Sequence, residues 1–193
     1  SFLGSAFTEI PGTDLGDKQF WGRWKEQDYP ITFHTNGGTI NNVVVESYTY
    51  TVGVVLPADV TQRGYLFRGW YDNEQRTGNP VTLISTTEFG EREFWADWSV
   101  VDYDITLNYN GGTIGDDDVP ATYRIGSEIT LPVPTREGYT FGGWYTNSAY
   151  VGEAVQAISS TEIGNKEFWA KWNVNSYTVT LETNGGTINS GNV

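Results

Sequence analysis

The sequence predicts an α+β fold, mostly β, in which small modules of 74 residues, each with one short helix, follow one another along the chain. The first observation is an internal repeat, because Tyr29, Tyr103 and Tyr177 stand 74 residues apart. Internal repeats at a fixed period are the sequence signature of tandem architectures. The second is an alternation of apolar and polar residues with the period of two that half-buried strands show. The third is one Ser-x-x-Glu pattern in each copy, which is typical of a helix N-terminus.

The repeat also predicts the domain boundaries. The hexapeptides QFWGRW, EFWADW and EFWAKW begin at residues 19, 93 and 167, and NGGTI begins at 36, 110 and 184. We therefore expect the chain to begin and end inside a repeat. Either the array continues in both directions, or separate chains join head to tail. The predicted segments are the C-terminal part of a preceding repeat (1–28), two complete modules (29–102 and 103–176), and the N-terminal strand and turn of a following repeat (177–193). The linkers SVVD and NVNS are short and lack Gly and Pro, which favours a semi-rigid string of modules.

The first half of a module reads as strands and turns. In YDITLNY (103–109) the apolar side chains alternate with polar ones, which predicts a half-buried strand. The NGG that follows supplies residues that accept positive φ, a hairpin signal. ATYRIGSEITLP then predicts a second pair of strands with Gly126 at the bend.

The second half of a module adds the remaining elements. YTFGGWY predicts a strand whose Gly142–Gly143 pair indicates a bulge or a close backbone approach. STTE (85–88) and SSTE (159–162) match the capping box, so a short helix is expected at each.

In the closing strand FWA(D/K)W, alternation points Phe94, Ala96 and Trp98 toward the core. Trp95 and Asp97 then point outward.

Composition excludes several classes of protein. With 24 acidic and 11 basic residues the formal net charge is −13, which argues against nucleic acid or anionic lipid as a partner because both need clustered Lys and Arg. The chain has no cysteine, so disulfides, thiolate metal sites and cysteine nucleophiles are excluded. No apolar run approaches membrane-spanning length. A module of this size buries only ~60% of the surface that its unfolded chain exposes. Large buried aromatic rings can compensate for the absence of disulfides.

Three motifs in order and spacing resemble a known family. YTVTLETNGGTI, PTREGYTFGGWYTN and the closing FWAKW look like the Listeria–Bacteroides repeat, the B-repeat of internalin-type bacterial surface proteins. The resemblance implies a compact β-grasp-like module in an extracellular or cell-surface region of a prokaryotic protein. It also implies a role as a spacer or adhesion repeat, with no shared catalytic residues to transfer.

Candidate catalytic and metal-binding residues are few. No catalytic residue and no cofactor is predicted: His34 is the one histidine, and the matching positions hold Asn108 and Glu182, which favours an exposed strand residue over a general base. Glu88 and Glu162 fit a capping role better than an acid/base role. Asp116, Asp117 and Asp118 could ligate Ca²⁺ through oxygen atoms, but a solvated loop is the favoured interpretation because no EF-hand spacing surrounds them.

The outward tryptophans Trp21, Trp95 and Trp169 are the candidate interface or ligand residues. Three interpretations are open: the module's own loops cover them, they pack on a neighbouring module, or they stack on sugar rings.

The leading hypothesis is a non-enzymatic extracellular repeat array that acts as a semi-rigid stalk, an adhesin segment or a self-assembling surface fibre. The alternative is a glycan-binding module that uses the outward tryptophans. The expected partners are neighbouring modules of the same protein, further copies of it, or a host or surface glycan or protein.

Overall fold

The computed structural model describes residues 10, 12–13, 15–115 and 120–187, and these residues form an all-β fold. Within these ranges there are fourteen strands and no helix. The predicted α+β class, and with it the β-grasp-like module with one short helix, is therefore wrong. Because the described residues form no helix, none of them belongs to a helix that could cross a membrane.

Each module, named one (29–102) and two (103–176) after the sequence repeat, contributes long strands and short ribbons. The strands of module one are β1 (Asp28–His34), β2 (Thr39–Ile40), β3 (Ser47–Thr49), β4 (Val54–Val55), β5 (Val60–Thr61), β6 (Tyr65–Tyr71), β7 (Leu83–Ile84) and β8 (Arg92–Val100). The strands of module two are β9 (Tyr103–Asn108), β10 (Thr122–Tyr123), β11 (Ile129–Thr130), β12 (Tyr139–Tyr145), β13 (Ala157–Ile158) and β14 (Lys166–Val174). The chain divides into two compact units with the main boundary between Ser99 and Val100.

The main sheet of each module has its first and last strands side by side in the centre. The strand orders are β3-β1-β8-β6 and β10-β9-β14-β12. The central pairs β1–β8 and β9–β14 are parallel, whereas β1–β3, β10–β9 and β12–β14 are antiparallel. Two-stranded ribbons, β2–β5, β4–β7 and β11–β13, complete the modules.

The core of each module lies on one face of its main sheet. In module two the buried residues are Tyr123, Leu131, Trp144, Ile158, Phe168 and Ala170, and Trp172 packs against them. Module one repeats the set around Trp70, Phe94 and Ala96, with Trp98 packed against it. The alternation predicted for the closing strand is therefore confirmed. The buried indoles also satisfy their N–H groups, since Trp70 donates to the carbonyl of Pro57 and Trp144 to that of Pro132, both at 2.7 Å.

The NGG motif forms the predicted tight turn and also holds a tryptophan. Asn110 has φ 50° and Gly111 φ 86°, and the amide of Gly112 donates to the carbonyl of Tyr109 at 3.0 Å. A Cβ on Gly112 would lie 2.3 Å from Cζ2 of Trp172. The second glycine of the motif is therefore required by the indole that covers it, while the first two residues are required by the turn.

The glycine pair of YTFGGWY forms the predicted bulge. The pairing of β12 with β14 shifts register between Phe141 and Trp144. Gly143 lies at φ 106°, and a Cβ there would lie 2.6 Å from Cβ of Ala154. Both the backbone conformation and the close approach of the following loop require glycine.

The Ser-x-x-Glu motifs form single turns. At 85–88 the reciprocal bond of a capping box is present, because the amide of Ser85 donates to Oε1 of Glu88 at 3.0 Å. No helix follows, since Gly90 at φ 92° redirects the chain and β8 begins at Arg92. A lone turn cannot offset the cost of helix nucleation without further residues.

In module two, Glu162 bonds to Lys166. This bond holds the pKa of the Glu162 carboxyl below its ordinary value.

One further strand prediction is wrong in its pairing. The halves of ATYRIGSEITLP form β10 and β11 with Gly126 between them at φ 88°, but β10 pairs with β9 and β11 with β13. In the segment predicted to begin a following repeat, residues 177–187 contain the turn at Asn184 but no strand. A strand needs a partner, and the equivalent strand in each complete module pairs with the closing strand of that module.

Candidate functional site

The outward side of each central parallel pair carries a tryptophan with a polar neighbour. In module two, Trp169 lies between the buried Phe168 and Ala170 and is partly exposed on the opposite face of the sheet. Its register partner on β9 is Asn108 and its partner on β12 is Tyr145. We call Tyr145, Trp169 and Asn108 the outer row of module two.

A glutamate recurs beside this tryptophan in both modules. Glu167, two residues before Trp169, accepts a hydrogen bond from Nδ2 of Asn108 at 2.9 Å. In module one, Oε2 of Glu93 lies 2.8 Å from Nε2 of His34. Both glutamates are exposed and point to the same side as the tryptophans, so a carboxylate and its partner border each indole.

The two modules differ in the group that covers the indole. His34 is the register partner of Trp95, and its imidazole stacks on the indole with ring centroids 4.7 Å apart and planes 12° apart. At the same position module two has Asn108, whose amide turns toward Glu167. In the part of the chain that the structure describes, no aromatic ring stacks on Trp169 as His34 does on Trp95.

Further side chains border the outer row of module two. Tyr150, from the loop after β12, packs edge-on against Tyr145 with centroids 5.7 Å apart. Its hydroxyl accepts a hydrogen bond from Asn110 at 3.0 Å, and Nζ of Lys171 lies 5.2 Å from the centroid of Tyr145. These contacts fix the tyrosine side of the row, while Asn108 and Glu167 border its other side.

The remaining predicted site residues fall elsewhere. Trp21 is 70% exposed in a segment without secondary structure. It therefore has no register partners on neighbouring strands such as those of Trp169. Asp116, Asp117 and Asp118 lie outside the described residues. Among the residues that are described, no group of three or more His, Asp or Glu could hold a metal ion.

Sequence reasoning placed the tryptophans on the outer face but missed their polar neighbours. Residues 34 and 93 are 59 positions apart, as are 108 and 167, and only the parallel pairing of the first and last strands brings them together. The signal that could have found them was the recurrence of Glu-Phe-Trp at the same distance from a polar residue at the end of the opening strand.

A shallow groove of about 550 Å³ lies beside the β4–β7 ribbon of module one, lined by residues 52–55 and 83–86. Val55 is 70% exposed and its register partner Leu83 is 50% exposed, whereas the matching pair in module two is Thr130 and Ala157. The register pair beside the groove is thus more apolar in module one than the matching pair in module two.

Comparison with known proteins places the repeat in a family. The family model of the Listeria-Bacteroides repeat domain matches residues 29–93 and 103–171. The chain therefore belongs to the Listeria-Bacteroides repeat family, as the sequence motifs predicted.

Curated relatives extend this similarity. The chain is 33% identical over 168 residues to a protein of Evansella cellulosilytica provisionally named a Gly-rich membrane protein, covering 86% of this chain and 18% of that protein. A second Evansella cellulosilytica protein, provisionally named a membrane protein, is also 33% identical over 168 residues, which are 86% of this chain and 24% of that protein. Internalin H of Listeria monocytogenes is 30% identical over 126 residues, covering 56% of this chain and 22% of internalin H. The chain thus spans about a quarter or less of the length of these relatives, and no solved structure matches it.

Proposed function

We propose that this chain is a non-enzymatic segment of an extracellular, cell-surface protein and that its modules act as a semi-rigid stalk. Membership of the repeat family and the names of the relatives, two membrane proteins and an internalin, support a surface location. The net charge of −13 supports a well-solvated surface segment that repels its own copies.

The observation that carries the stalk role is the parallel pairing of the opening and closing strands. Because β9 and β14 run in the same direction side by side, the chain enters module two at one end of its sheet and leaves at the other. The closing strand has nine residues, which at ~3.3 Å per residue span about 30 Å. A module built in this way adds its length to the chain, as a spacer requires.

The connection between modules supports stiffness. β8 ends at Val100 and β9 begins at Tyr103, so two residues join the closing strand of one module to the opening strand of the next. Neither is Gly or Pro, and a connection this short leaves little freedom.

Small-angle X-ray scattering tests the proposal. A compact chain of this length has a radius of gyration of about 16 Å, and a stalk should exceed this value with a narrow range of maximum dimensions. The matched control is a variant with a ten-residue Gly-Ser insertion after Val101. Scattering from the wild type that is as broad as that of the insertion variant would refute the semi-rigid stalk. Labelling of intact cells with an antibody to the modules tests the surface location, and labelling only after lysis would refute it.

Self-association into a fibre is a separate role that sedimentation distinguishes from the stalk. The edge strands β6 and β12 are seven residues long, but glycines at positive φ interrupt both of them. Such irregularities blunt the edges of sheets against pairing with another chain. We therefore expect a monomer at all accessible concentrations.

A further inference from the structure

We propose that the outer row of module two binds a neutral hexopyranose on the indole of Trp169, at the place that the imidazole of His34 fills in module one. The proposal goes beyond the stalk role and does not depend on it.

The two modules provide an internal comparison of the same site with and without a ring on the indole. In module one the imidazole of His34 lies flat on Trp95, with planes 12° apart. This contact shows that a planar ring beside the parallel strand pair reaches the indole face without displacing the sheet. Module two keeps the tryptophan, the glutamate and the register but has Asn108 in place of the histidine.

The amide of Asn108 leaves the indole face to another group. Its Nδ2 donates to Oε1 of Glu167 at 2.9 Å, so the side chain turns along the strand toward the carboxylate. Trp169, like Trp95, is partly exposed, and the ring of Tyr145 is held on the other side of the row by Tyr150. The face of Trp169 beside β9 is therefore bordered by one amide and one carboxylate.

This combination fits a sugar better than other ring ligands. The C–H face of a pyranose packs on an aromatic ring, while the hydroxyls at its edge need polar partners. The carboxylate of Glu167 and the carbonyl of Asn108 accept hydrogen bonds from hydroxyls, and bonds to an ionised group are the stronger kind. The cation of the row, Lys171, lies on the Tyr145 side, whereas the carboxylate of Glu167 lies on the Asn108 side. This carboxylate and the net charge of −13 disfavour uronic acids and sulfated sugars, so the ligand class is a neutral hexose unit. With a single stacking platform, we expect a Kd on the order of 1 mM.

The test uses the full chain labelled with 5-fluorotryptophan and titrated with cellobiose, lactose and methyl hexosides, followed by fluorine NMR. The resonance of Trp169, assigned through the Trp169→Phe variant, should shift saturably with at least one neutral sugar. The Asn108→His variant copies module one and should weaken binding at least tenfold. The reciprocal His34→Asn variant should create a second site, reported by the resonance of Trp95.

The outcomes separate the proposal from its competitors. These substitutions lie on the outer face, so thermal unfolding should show that the variants remain folded. Saturable binding that Asn108→His removes and His34→Asn duplicates would support the site. The proposal is overturned if no neutral sugar shifts Trp169, if Asn108→His binds like the wild type, or if glucuronic acid binds more tightly than the neutral sugars. None of these results changes the scattering that tests the stalk.

Discussion

Substitution of Gly112 by alanine tests the packing of the NGG turn under Trp172. The added methyl would lie 2.3 Å from Cζ2 of the indole and 3.1 Å from Cε2 and Cη2, whereas carbon atoms pack at ~3.5–4.0 Å. The ring is held in place, because Nε1 of Trp172 donates to the carbonyl of Tyr109 at 2.9 Å and the ring packs on Phe141. The indole or the turn must therefore move by more than 1 Å, roughly the shortfall against ordinary contact.

The expected cost has two parts. Overpacking costs about 1–3 kcal/mol, and loss of the indole hydrogen bond about 0.5–1.5 kcal/mol. We expect Gly112→Ala to lower the free energy of unfolding of module two by about 2–4 kcal/mol, a large part of the stability of a small domain. Urea unfolding followed by tryptophan fluorescence should then shift the midpoint by ~2 M, given a slope of about 1–2 kcal/mol/M for a module of this size.

Two further variants isolate the contact with the indole. Gly115→Ala is the matched control, since no atom of the described residues lies within 4 Å of the position that its Cβ would take and its φ is not positive. We expect a change within about 0.5 kcal/mol. Trp172→Phe removes the carbon that the methyl meets, so adding Gly112→Ala to that variant should cost less than in the wild type. Equal midpoints for Gly112→Ala and Gly115→Ala would refute the reasoning.

Three further predictions concern module two. Asn110→Ala should lower the free energy of unfolding, measured with urea, by about 2–3 kcal/mol, because it removes the hydrogen bond to the carbonyl of Ala170 and a residue suited to φ 50°. Asn110→Gly should lose less, since glycine accepts this φ, and equal losses for the two variants would contradict this. Gly143→Ala should lower the free energy of unfolding by about 1–3 kcal/mol. Adding Ala154→Gly should remove the contact at 2.6 Å and recover part of this loss, but not the cost of φ 106° at residue 143; a double variant no more stable than Gly143→Ala would exclude that contact as the cause. Lys166 lowers the pKa of Glu162, so the Glu162–Lys166 pair stabilises the fold above the ordinary pKa of 4.5, and this stabilisation is lost as pH falls through the folded pKa. Glu162→Gln should therefore reduce the fall of the urea midpoint between pH 5 and 3, and wild-type and variant profiles that run parallel would contradict this.

Local sequence patterns were sufficient to predict those features that depend only on residues adjacent in the sequence. The NG turn is an example, because it also forms at Asn184, with φ 46° and the amide of Gly186 bonded to the carbonyl of Thr183 at 2.8 Å. That turn forms although residues 177–187 contain no strand. The intrinsic preference of Asn-Gly for positive φ therefore suffices for the turn.

Features that depend on distant residues could not be predicted in the same way. Ser85 and Glu88 make the bond of a capping box, yet Gly90 and the start of β8 leave no length for a helix. A local motif fixes its own hydrogen bonds but does not determine the conformation of the residues after it. Similarly, alternation placed Trp169 on the outer face, but a period of two does not show which strand lies beside it. Asn108 and Glu167 were therefore missed, although Asn108 stands in a predicted strand and Glu167 directly precedes another.

The parallel pairing of opening and closing strands determines how a module responds to mechanical load. A pull on its two ends draws β9 and β14 in opposite directions along their own axes. The paired residues from Ile105 and Lys166 to Asn108 and Trp169 then share the load and rupture together in shear. A hairpin pulled at its open end would instead unzip one bond at a time. A protein tethered at one end and dragged by flow at the other is thus loaded in the direction in which each module resists extension most.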